Sequence, residues 1–138
     1  MTIKDTPKGL PDSALDFPKE APESEYSDVI KHMEETYPEM TSEFKKIQRD
    51  QYELFCRKQY DYGPQNIAVG TILKTKEDVK LSLLGIWFRM NDKIERLKTL
   101  LMRDDNHAVE NESVIDSFSD ISNYGVMAKV VAKGKWAK

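Results

Sequence analysis

The sequence predicts an all-α protein, a bundle of four to five helices with a flexible N-terminal arm, in 138 residues. Three observations carry that prediction. Apolar residues recur at helical spacing over long stretches between positions 24 and 132, and no stretch shows strand-like alternation. Pro38 and the Gly63-Pro64 pair punctuate those stretches. The length suits one domain with one core, and no internal repeat competes with that reading.

Residues 1–23 hold four of the six prolines and little apolar mass, which predicts a flexible or surface-draped arm ahead of a single helical domain over 24–138. A short helix is expected from Ser24, stopped before Pro38. A longer one follows from about Glu39 to Tyr60, with Phe44, Ile47, Gln51, Leu54, Phe55 and Lys58 in one stripe. Gly63 and Pro64 break it, and residues 64–75 read as a loop. The next helix is expected from Lys76 to Arg103. Leu83, Trp87, Met90, Ile94, Leu97 and Leu101 form one row, and Leu84, Phe88, Asn91, Glu95 and Met102 a second beside it. Two apolar flanks make this the central helix and place Glu95 where it meets another element. The last helix is expected from Glu112 to Ala132, with Val114, Phe118, Ile121 and Gly125 as its apolar face.

Composition excludes several classes of function. Charged residues make up 33% of the chain, the net charge is −3 and the pI is near 5.5, so duplex nucleic acid is not an expected partner. No run approaches the about 18 apolar residues of a membrane span, and residues 1–7 show no apolar signal region. The lone Cys56 suits a reducing compartment and reads as a small apolar residue. No Cys/His cluster points to zinc, and no Gly-rich phosphate loop is present.

The most informative pattern is acidic. Glu112, Asp116, Asp120 and Asn123 stand at spacings of four, four and three, on one face of the last helix. Like charges so stacked repel, so neutralising one of them is expected to relieve strain on the free protein. Asp92 and Glu95 add an acidic pair on the preceding helix. Two carboxylate groups on two helices suit a hard divalent ion, Mg2+ or Mn2+, held by Asp92, Glu95, Asp116 and Asp120. The plain alternative is the wet face of an amphipathic helix. Lys93 and Arg96, one turn apart, are candidate phosphate donors or ordinary surface ion pairs. Asp61, Tyr62 and Asn66 flank the Gly63-Pro64 turn, where Tyr62 offers a stacking surface and Asn66 a hydrogen bond; turn chemistry alone also favours such residues.

Three segments in order resemble the nucleotide modification associated domain family of phages and bacteria. They are Lys58 to Asn66, Arg89 to Leu97 and Glu112 to Tyr124, within a resemblance covering about residues 40–132. That family is in turn distantly similar to the MazG-like all-α nucleoside triphosphate pyrophosphatases, whose acidic helices hold magnesium. Asn91-Asp92-Lys93-Ile94-Glu95 follows the first acidic motif with Asn and Asp in its leading places, and Asp116 to Asp120 follows the second with one residue added. The resemblance implies a metal-dependent nucleoside triphosphate pyrophosphohydrolase acting on a nucleotide or deoxynucleotide pool. In that reading Glu112 orients the attacking water and Lys93 and Arg96 hold phosphates. Lys58, Asp61, Tyr62, Asn66, Asn123 and Tyr124 contact the nucleotide. The alternative is a nucleotide-binding or helical assembly protein without the chemistry. The implied location is the cytoplasm, the host's where the chain is viral, and the twin apolar flanks of the central helix imply a homo-oligomer.

Overall fold

The computed structural model describes residues 12–103 and 113–138. They form an all-α bundle of five helices and no strand. Among them no helix is long and apolar enough to cross a membrane. The chain divides into two compact units, one ending at Leu54 and one from Phe55 to Lys138.

The N-terminal unit holds a 3-10 turn at Asp12–Leu15, helix α1 (Glu23–Thr36) and the first part of helix α2 (Pro38–Tyr62). Glu23 and Glu25 sit in the first turn of α1, where carboxylates complement the helix dipole. α1 ends at Tyr37 because a residue before proline avoids the helical conformation, and Pro38 then opens α2, since its missing N–H costs nothing there. Glu34 and Lys45 join the two helices at 2.7 Å across an exposed surface, a pair of small energetic weight. Neither α1 nor α2 buries a residue.

The C-terminal unit takes the last two turns of α2 and then α3 (Gln65–Ala68), α4 (Lys76–Leu101) and α5 (Val114–Ala132). Gly63 stops α2 with a φ of 79°, a backbone state only glycine adopts freely, and its N–H reaches back to the Gln59 carbonyl. Thr75 caps α4 by accepting the Asp78 N–H, and Ser113 caps α5 with a reciprocal box to Asp116. α4 packs along α5, and α3 lies on α4. Ile67, Ile86, Met127, Val131 and Trp136 form the core, with Phe55, Leu83, Met90 and Tyr124 packed against it.

Three local expectations need correction. The segment after Pro64 is not an open loop: it contains α3, and Ile67 and Ala68 are buried. The buried face of α5 is Ser117, Met127 and Val131, whereas Phe118 is half exposed. On α4 the buried positions are Ser82, Ile86 and Leu97, while Trp87, Ile94 and Leu101 face outward and Glu95 is exposed rather than enclosed. In the last two cases two rows of apolar residues share one helix, and spacing alone cannot tell which row has a neighbour.

Candidate functional site

Three helices of the C-terminal unit each turn one stripe toward a common cavity of about 630 Å³. α2 supplies Phe55, Lys58, Gln59 and Tyr62, α4 supplies Arg89, Asp92, Lys93 and Arg96, and α5 supplies Asp120, Asn123, Tyr124 and Met127. Every stripe has the same spacing of three, four and seven from its first residue, which is one face of a helix. Asn66 and Ile67 of α3 complete the wall. The volume lies within the range of small-molecule sites, about 300–1,000 Å³.

The cavity has an unusual charge for its chain. Lys58, Arg89, Lys93 and Arg96 face two carboxylates, Asp92 and Asp120, so the lining is cationic in a protein of net charge −3. Asp120 is the hub. One of its oxygens accepts from the Lys58 ammonium at 2.9 Å and the other meets the Lys93 ammonium at 3.2 Å. Its side chain is only 14% exposed, so the pairing is sheltered more than an ordinary surface bridge. Burial alone drives the Lys58 ammonium toward neutrality, but the hydrogen bond and charge of Asp120 outweigh it and raise its pKa above the usual lysine value.

Arg96 has a different task. Its guanidinium donates to the Ser113 carbonyl at 3.0 Å and to the buried Ser117 hydroxyl at 2.7 Å, fastening the start of α5 to α4. The α3 turn is fastened by its carbonyls. Trp136 donates to Pro64 at 2.9 Å, Ser82 to Ile67 at 2.6 Å and Arg89, at a long 3.4 Å, to Asn66. These bonds occupy the backbone and leave the side chains of Tyr62 and Asn66 at the cavity. Trp136 also meets Phe55 edge to face, with centroids 5.9 Å apart.

The expected site residues divide accordingly. Lys58, Tyr62, Asn66, Asp92, Lys93, Arg96, Asp120, Asn123 and Tyr124 all line the cavity. Asp61, Glu95 and Asp116 are exposed and do not. Glu112 lies outside the described residues. Asp116 belongs to the cap: its carboxylate accepts the Ser113 N–H at 3.1 Å, and that backbone hydrogen bond, with the Ser113 hydroxyl, holds its pKa below the usual aspartate value. Among the described residues no three His, Cys, Asp or Glu side chains group closely enough to hold a metal ion. Of the four expected ligands, Asp92 and Asp120 line the cavity and Glu95 and Asp116 do not; two carboxylates suit a magnesium ion when phosphate oxygens and water fill the remaining positions.

Arg89, Gln59, Phe55 and Met127 line the cavity and were not among the expected site residues. The signal was present in register. Arg89 stands three residues before Asp92 and seven before Arg96, whereas Glu95 is turned about 60° from Asp92 and out of the stripe. Comparison with protein-family models, with curated proteins and with solved structures finds no match.

Proposed function

We propose that the cavity binds a nucleoside triphosphate and that the protein is a metal-dependent nucleoside triphosphate pyrophosphohydrolase. The single observation that carries the reading is the convergence of four cationic side chains with two carboxylates and two tyrosines in one cavity of fitting size. Lys58, Lys93 and Arg89 are the charge-assisted donors for the phosphates, and Tyr62 and Tyr124 are flat surfaces for a base. Asn66 and Asn123 supply hydrogen bonds to a base edge or sugar. In the reaction a water oxygen bonds to the α-phosphorus, the α–β anhydride bond breaks and pyrophosphate leaves with its electron pair. A magnesium or manganese ion, held by Asp92, Asp120 and the phosphates, would neutralise the developing charge.

A second reading is nucleotide binding without hydrolysis. What favours it is that both oxygens of Asp120 already meet ammonium groups, and that Asp116 caps α5.

The test is a panel of nucleoside triphosphates incubated with magnesium, following both binding and pyrophosphate release. Turnover of any member supports the hydrolase, and saturable binding without release supports the second reading. Absence of both across the panel sinks the nucleotide site altogether. Lys93→Ala removes a charged hydrogen bond worth about 1.5–3 kcal/mol, so affinity for the bound nucleotide should fall roughly ten- to a hundredfold.

A further inference from the structure

Three helices of the C-terminal unit meet at one carboxylate. Lys58 comes from α2, Lys93 from α4 and Asp120 from α5, and the two ammoniums take different oxygens of Asp120, at 2.9 and 3.2 Å. All three residues line the cavity. The lysines are the more exposed partners, at 42% and 26% against 14% for Asp120, so an incoming anion reaches the ammoniums more readily than the carboxylate. Arg89 and Arg96 also line the cavity, but they donate to carbonyls and a hydroxyl. An ammonium on a flexible four-carbon stem swings toward a ligand more easily than a guanidinium, which bonds in one plane. The two cations best suited to move are therefore the two that Asp120 holds.

A polyphosphate without a metal ion meets two costs at such a site. Each ammonium–phosphate bond is made at the expense of an ammonium–carboxylate bond of similar strength. Asp120 is then left as a sheltered, unpaired negative charge beside a polyanion, which is strongly unfavourable. A divalent cation on the phosphates relieves both, because carboxylate oxygens are ligands it favours and Asp120 gains a new counter-charge as the lysines leave.

We propose that Asp120 is the specificity-determining residue of the cavity. It keeps Lys58 and Lys93 closed to free polyphosphates and gives them up to a polyphosphate that carries a divalent metal ion. The proposal rests on the reading of the cavity as a nucleotide site. Within that reading it accounts for a candidate metal ligand whose two oxygens both meet ammoniums.

Calorimetric titration of the full chain with inorganic triphosphate tests this, first in a chelator and then with magnesium. The wild type should bind about tenfold or more weakly in the chelator than with magnesium. Asp120→Asn removes the charge and nearly keeps the shape. In the chelator it should bind triphosphate about tenfold or more tightly than the wild type, the share of one charge-assisted bond. Lys58→Met, alone and together with Asp120→Asn, completes a double-mutant cycle. Its loss should cost little while Asp120 holds the ammonium, and about tenfold or more once Asp120 is neutral. A general change in the field of the cavity would make the two substitutions additive, so additive effects overturn the proposal. Circular dichroism checks that each variant is folded. The wild type alone decides the matter where Asp120→Asn is not, since equal affinity with and without magnesium also overturns the proposal. A wild type that binds with magnesium, beside an Asp120→Asn variant that gains nothing in the chelator, sinks this proposal alone. A wild type that binds neither inorganic triphosphate nor any nucleoside triphosphate, with or without magnesium, sinks the nucleotide reading as well.

Discussion

The two sides of α4 invert the usual arrangement of a surface helix. The side turned to the cavity bears Arg89, Asp92, Lys93 and Arg96, whereas the side turned away bears Leu81, Leu84, Trp87 and Phe88. Charge placed inward has to be satisfied, and here Asp120, Ser117 and backbone carbonyls of Asn66 and Ser113 do so. Such enclosed charge adds little net stability, because desolvation offsets the attraction. Under the proposed function, those charges serve the phosphates of a nucleotide rather than folding. Apolar surface placed outward stays in contact with water, which is the costlier placement for it. The same helix thus sets a charged side against the cavity and an apolar side away from it.

The largest effect that bears on this contrast is expected at Trp136, which is 5% exposed and ties the chain end to the α3 turn. Trp136→Ala should lower stability by about 3–5 kcal/mol. Trp136→Phe keeps the ring but leaves the Pro64 carbonyl without its donor, and should cost about 1–3 kcal/mol. Equal losses in denaturant melts would mean that the hydrogen bond contributes nothing to holding the turn.

A sharper comparison sets Ile86 against Phe88, half a turn apart. Ile86 is 2% exposed and Phe88 59%. Ile86→Ala should cost about 2–5 kcal/mol. Phe88→Ser should cost about 0.5 kcal/mol or less, as at a surface position. A loss at Phe88 as large as at Ile86 would break the division of α4 into inner and outer sides.

Asp120→Asn probes the inner charges. The acidic stripe taken alone predicts relief of repulsion, but Lys58 and Lys93 reverse the sign. Neutralising Asp120 leaves two ammoniums facing one another, so stability should fall by about 1 kcal/mol, discounted for the partial exposure of both lysines. The Lys58 share follows from its raised pKa. It is fully present below the ordinary lysine value of 10.5 and lost as pH rises through the higher value reached in the folded protein. Equal melting of variant and wild type at pH 7 would show that the hub contributes nothing to stability.

The smallest effect is at the cap of α5. Ser113→Ala should cost about 1 kcal/mol. The Asp116 carboxyl is held low by Ser113, so its contribution is complete above the ordinary value of 3.8 and lost as pH falls through the lowered one. Asp116→Asn should therefore flatten the acid limb of a stability–pH profile, and an unchanged limb would remove Asp116 from the capping box.

Where local chemistry sets the outcome, the sequence was legible. Pro38 and Gly63 bound α2, and α1, α4 and α5 lie within two residues or so of their expected limits, because Pro, Gly and capping hydroxyls act over a single turn. Most of the cavity residues also lay in the segments that spacing and resemblance singled out, since a stripe of polar groups on a helix is visible without its neighbours. Residues 64–75 were misread because the helical turn at Gln65–Ala68 is too short for periodicity to register and is held from outside, by Ser82 and Trp136. Trp136 itself lies in no periodic segment, so nothing local marks it as core.

The sequence by itself determined that the protein is helical, where the helices start and stop, and that α4 and α5 each carry more apolar residues than one contact can cover. Those are properties of backbone conformation and of spacing along one chain. Only the tertiary structure decided that Asp120 rather than Asp116 enters the cavity, that Asp120 meets two lysines rather than two acids, and that Glu95 stays outside. A shift of three or four residues turns a side chain by tens of degrees, and which of two adjacent stripes faces a neighbour depends on where that neighbour packs.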